Sequence, residues 1–177
     1  MKVLVRKINA VLSLLITVLL FDHAIFNAVW MLSQGTIAKT TALSWVLFGL
    51  MMVHAILCII FGIQAHRGEE KQPSNAYTQV NLSTKIQRIG GLLLIPFSVL
   101  HMLGTVGVMQ PPQAIHAVIP PLFFALCLVH VAVSGSKAFI TLGIGGAKLI
   151  KIVDIAVKAL CIATLIASVV GFYLYLC

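Results

Sequence analysis

The stretch 89–108, IGGLLLIPFSVLHMLGTVGV, runs for 20 residues without one Asp, Glu, Lys or Arg. At about 1.5 Å of rise per residue, a helix of that length covers roughly 30 Å, the thickness of bilayer hydrocarbon. One residue does not belong in such a run. An imidazole in hydrocarbon is costly and normally faces a partner or a cofactor, and His101 lies well inside the segment. The stretch therefore predicts a membrane fold and, within it, a polar task.

Four more segments of the same kind lie outward from it, near Ile8–Ser33, Thr41–Ala65, Ala114–Ser136 and Ile152–Leu176. Across the chain 60% of residues are hydrophobic and 9% charged, with a mean hydropathy of +1.09. A water-soluble domain has no way to bury that much apolar surface, whereas a polytopic bundle turns it toward lipid. The expectation is an all-α integral membrane protein, one domain over 1–177 with five transmembrane helices. The segment Arg67–Arg88, with Glu69, Glu70, Pro73 and Asn75, reads as a solvated loop. Lys2, Arg6 and Lys7 give the first segment a basic start like that of a signal peptide. Its length and the lack of a small-x-small cleavage site make it the first span instead.

The net charge of +8 is topological and gives no sign of nucleic-acid binding. If the spans alternate, Lys2, Arg6, Lys7, Arg67, Lys71, Lys85, Arg88, Lys137, Lys148, Lys151 and Lys158 share one side, and Lys39 alone takes the other. By the positive-inside rule the N-terminus is then inside and the C-terminus outside. Cys58, Cys127 and Cys161 lie within spans and read as small packing residues. With Cys177 they form no zinc or iron–sulfur spacing.

His23, His54 and His130 join His101, one to each of the first four spans. Counting from the nearest inner-side charge, His23 lies about 24 Å deep, His101 about 20 Å and His130 about 10 Å, with His54 near mid-membrane. His23 and His101 thus belong to the outer half and His130 to the inner half, which leaves His54 to join His130. Two stacked imidazole pairs suit two bis-histidine haem groups, an electron wire across the bilayer. A lone intramembrane histidine is as readily a polar contact between helices, but four on four helices, each with its own burial cost, favour ligation. His66 and His116 fall at span ends, where an amphipathic ring is cheap. His116 and His130 have the 14-residue spacing of a layout with two ligands on one helix. No second helix repeats that spacing, and Pro120–Pro121 interrupt the stretch.

Several local strings resemble the one-subunit, five-helix dihaem cytochrome b anchor of succinate dehydrogenases and fumarate reductases. They are Phe21-Asp22-His23, Val53-His54-Ala55, Gln87-Arg88-Ile89-Gly90-Gly91 with His101 ten residues later, and Val129-His130 with Ser134-Gly135 behind it. The resemblance covers nearly the whole chain, and the Gln-Arg-x-x-Gly string is its most specific part. It implies two haem b groups, the inner held by His54 and His130 and the outer by His23 and His101. It also implies electron exchange with menaquinone or another quinone, in the bacterial cytoplasmic (inner) membrane. A flavoprotein subunit and an iron–sulfur subunit would sit at the inner face and do the dicarboxylate chemistry, since this chain has no dinucleotide loop and no cluster cysteines.

Haem propionates are anionic, so Arg88 and Lys137, at the inner ends of spans 3 and 4, are candidate partners as well as ordinary positive-inside anchors. Gly91, with Gly90, would let a macrocycle or a helix come close. Pro96 is expected to bend span 3. An outer quinone site would draw on Asp22, Asn27, Trp30, Gln34, Gln110 or His116, with Asp22 the embedded acid. Some fumarate reductases of that family carry a glutamate shortly before the fourth ligand, where this chain has Leu126-Cys127-Leu128-Val129. Without it, each electron crossing involves about 2.3 kcal/mol per 100 mV, so turnover should respond to membrane potential. Two rival readings are an anchor for a different flavoprotein reductase and a small histidine-lined transporter.

Overall fold

A computed structural model describes residues 2–33, 42–66, 82–105 and 113–176. Five helices account for nearly all of them: α1 (Lys2–Leu32), α2 (Ala42–His66), α3 (Leu82–Thr105), α4 (Gln113–Leu142) and α5 (Ala147–Leu176). Each contains a run long and apolar enough to cross a membrane, and no strand occurs among the described residues. The chain is an all-helical, multi-pass membrane protein.

Side-chain pairs fix the direction of the helices. Asn9 of α1 meets Cys58 of α2, while His23 of α1 meets Ser44 of α2, so the two run antiparallel. Gln87–Lys137 with Gly91–His130 do the same for α3 and α4, and Ser136–Asp154 with Gly135–Val157 for α4 and α5. The described basic residues collect toward one end of the bundle, called here the basic end.

The helices α1, α2, α3 and α4 form a ring of neighbours closed by α1 against α4, and α5 packs outside against α1 and α4. Across the ring there is no close approach. Among the described residues, no Cα of α1 lies within 8 Å of α3, and none of α2 within 8 Å of α4. The centre is an apolar cluster of Leu20, Phe21, Leu47, Leu94, Cys127, Leu128, Val131 and Cys161. Lipid tails are as apolar as leucine, so close packing has to hold such a bundle together. Gly171 shows how: a Cβ there would stand 3.3 Å from the Ala28 carbonyl, so glycine admits α1 to α5 at short range. The many large apolar residues left exposed on all five helices form the lipid-facing surface.

The spans expected from sequence fall on these helices, but the boundaries differ at the basic end. Residues 82–88, read as loop, form the first two turns of α3, whereas 67–81 lie outside the described residues. The second difference is at α4, which runs six residues past Ser136 and ends in a glycine turn. There Gly143 (φ 72°) donates to Ile140 and Ile144 donates to Phe139, closing the last carbonyls. Nor do Pro120 and Pro121 interrupt the stretch, because α4 passes through both. A membrane helix tolerates proline where neighbouring groups take up the freed carbonyls. The two-ligands-per-helix layout still lacks a second helix with the required pair. α3 likewise continues through Pro96.

Candidate functional site

Each of the four ring helices brings one histidine to the bundle at one of two levels. His54 and His130, from the diagonal helices α2 and α4, lie within electrostatic reach of each other. His23 on α1 and His101 on α3, the other diagonal, sit farther from the basic end. His23 is 14 residues beyond Asn9, about 21 Å of helix, and Asn9 is level with His54. The structure therefore puts His54 in the half nearer the basic end, where depth counting left it at the middle.

At the lower level, Asn9 is the residue that sequence reasoning missed. His54 Nδ1 and Asn9 Oδ1 are 2.9 Å apart, and the Asn9 amide nitrogen donates to Cys58 Sγ at 3.7 Å. Because Oδ1 only accepts, His54 carries its proton on Nδ1, and its lone pair is on Nε2. Cys58 Sγ is 3.6 Å from that Nε2. Cys127 and Cys161 are buried packing residues as expected, but Cys58 is exposed and touches polar partners, so its reading as a packing residue is corrected.

His130 is held differently. Its ring lies on the bare backbone of α3, where a Cβ on Gly91 would be 3.2 Å from Cε1 and one on Gly90 would be 3.9 Å from Nδ1. That Nδ1 is buried and makes no hydrogen bond of ordinary geometry, although the ring lies within reach of the Gln87 backbone. A buried polar atom left without a well-aligned bond typically costs about 1–3 kcal/mol. Ser134 Oγ donates to the His130 backbone carbonyl. Half-buried Lys137, one level closer to the basic end, donates to Gln87 Oε1 at 2.6 Å. Arg88, the other candidate cation, is exposed on α3.

At the upper level, His23 is half-buried between two partners. Asn27 Nδ2 donates to the His23 backbone carbonyl at 2.7 Å and stands 3.0 Å from its Nε2. An amide N–H facing Nε2 again leaves the lone pair there and the proton on Nδ1, which donates to Ser44 Oγ at 3.2 Å. The His101 ring packs against Phe123 with centroids 5.2 Å apart. Asp22 and Trp30 are half-buried on α1 near His23. His116 is on the first turn of α4, and Gln34 and Gln110 lie outside the described residues.

Asn9, Ser44 and Gln87 carried a weak signal in the sequence. Asn9 and His23 are 14 residues apart on α1, as are Ser44 and Cys58 on α2. Fourteen residues make almost four helical turns, so each pair shares a face. Two such faces running antiparallel must meet polar to polar.

No described group of three or more His, Cys, Asp or Glu side chains converges on one point. Two of the four imidazoles, His23 and His54, present Nε2 as the lone-pair nitrogen and donate Nδ1–H to a neighbouring helix. A metal-binding imidazole has that arrangement, its second nitrogen fixed by an outer acceptor. The donor set suits iron held axially by two imidazoles, as in bis-histidine haem. Ligation would require Asn27 and Cys58 to yield Nε2, and Asn27 keeps its bond to the His23 carbonyl when it does so. Asp154 is engaged by Lys158 and Ser136. No protein-family model, curated protein or solved structure matches this chain.

Proposed function

We propose that this chain is a dihaem cytochrome b membrane anchor of a succinate dehydrogenase or fumarate reductase complex, passing electrons between a quinone and soluble-side subunits. One observation carries the reading. The four intramembrane histidines occupy four helices of one ring, and the pairs His54/His130 and His23/His101 span its two diagonals, along which the helix backbones keep apart.

In this reading His54 and His130 hold the haem nearer the basic end, and His23 and His101 hold the other. Haem b, when bound, supplies reversible one-electron storage. Lys137 offers a cation to a propionate beside His130, Arg88 is a second one on α3, and Gly91 keeps the ring of His130 in place. Asp22, Asn27, Trp30, Gln34 and His116 are the candidates for a quinone at the far level, where Asp22 exchanges the proton. An iron–sulfur subunit and a flavoprotein dock at the basic end, and the complex resides in the bacterial cytoplasmic membrane.

The test is purification from membranes in mild detergent, with subunit identification and haem quantification. Two haem b per chain and co-purifying flavoprotein and iron–sulfur subunits are the expected result. A colourless chain would overturn the reading.

A further inference from the structure

The ladder between α1 and α2 is reciprocal. Asn9 of α1 accepts a hydrogen bond from Nδ1–H of His54 on α2, and Ser44 of α2 accepts one from Nδ1–H of His23 on α1. We infer that Asn9 and Ser44 are positioning residues, each fixing the tautomer of the histidine opposite and setting the electron-donating power of its Nε2. This rests on the dihaem reading, because that nitrogen matters only if it binds iron.

The Asn9 amide is placed with its two ends in different contacts. Its nitrogen donates to Cys58 Sγ, and its oxygen meets His54 Nδ1. An amide oxygen at 2.9 Å is a strong acceptor, whereas the Ser44 hydroxyl at 3.2 Å is a weaker one. Drawing the proton off Nδ1 makes Nε2 a better donor to iron and stabilises the oxidised metal, which lowers its reduction potential. The His54 ligand is therefore the more strongly tuned of the two. The same bonds tie α2 to α1, which places two imidazoles and a helix seam under one set of contacts.

The experiment is a redox titration of the purified complex, following the haem absorption bands, for the wild type and three variants. Asn9→Leu removes the acceptor and is expected to raise the potential of one haem while leaving the other unmoved. Asn9→Asp offers a carboxylate in the same shape and is expected to lower the potential of that same haem. Ser44→Ala is expected to raise the potential of the other haem by a smaller amount. A role confined to holding the helices together would give no such reversal of sign. If Asn9→Leu assembles too poorly to titrate, the direction of the Asn9→Asp shift decides. Shifts of equal sign in the two Asn9 variants, shifts spread over both haems, or none at all would overturn the inference. A wild-type complex without haem would instead overturn the proposed function.

Discussion

Along the α3–α4 seam, His130 rests on glycine backbone, where a Cβ on Gly91 would crowd the ring at 3.2 Å and Nδ1 makes no well-aligned hydrogen bond. Along the α1–α2 seam, His54 donates to Asn9, and His23 donates to Ser44 and accepts from Asn27. Both are answers to the same difficulty. Apolar side chains gain little from meeting each other in lipid, so a seam needs either close backbone approach or polar bonds. The steric cradle fixes where a ring stands but leaves its proton unassigned. The hydrogen bonds assign the proton and leave the ring more open. His54 and His130, at the same level, thus have different kinds of support.

The harshest way to break this contrast is to remove a ring. His130→Ala should lower haem content from two per chain to one and weaken assembly with the partner subunits, as measured by haem quantification after purification. Retention of two haems would refute the ligand assignment. Gly91→Leu tests the cradle without touching a ligand. Overpacking there should cost about 1–3 kcal/mol and displace the ring, read as a lower thermal midpoint for loss of the haem spectrum. Gly49→Leu is the control, since nothing lies within 4 Å of a Cβ at that position. Equal effects at the two glycines would remove the special status of the α3–α4 seam.

A milder perturbation of the same seam is Lys137→Met, which leaves Gln87 without its partner. A loss of about 1.5 kcal/mol is expected for a charge-assisted bond, measured by denaturation in detergent micelles. The smallest effect should come from Asp154→Asn at the α4–α5 contact. The Lys158 side chain is 52% exposed, so the ion pair is worth less than about 1 kcal/mol and should weaken further in salt. A large loss there would show that α5 does more than close the bundle.

The helix ends that the sequence left in doubt teach something about membranes. Lys85 and Arg88 read as loop in the sequence, and Lys148 and Lys151 fall short of the fifth span, yet all four are helical. Charge marks where hydrocarbon stops, but a helix satisfies its own backbone and continues past that line into the headgroups. Pro120 and Pro121 misled for a related reason, because local sequence does not show which neighbours take up the freed carbonyls. The partners of the histidines were hidden more deeply. Asn9 and Ser44 are ordinary polar residues near span ends, and only the register of α1 against α2 gives them a use.

Five apolar runs, the one-sided charge and four embedded histidines follow from the chain alone, because hydrocarbon thickness and the cost of burying an imidazole act on each segment separately. Which helices are neighbours and which are diagonal came from the packed bundle. So did the level of His54, the bare backbone under His130 and the proton on each of two rings. Those depend on contacts between residues tens of positions apart, and no single segment encodes the register that brings them together.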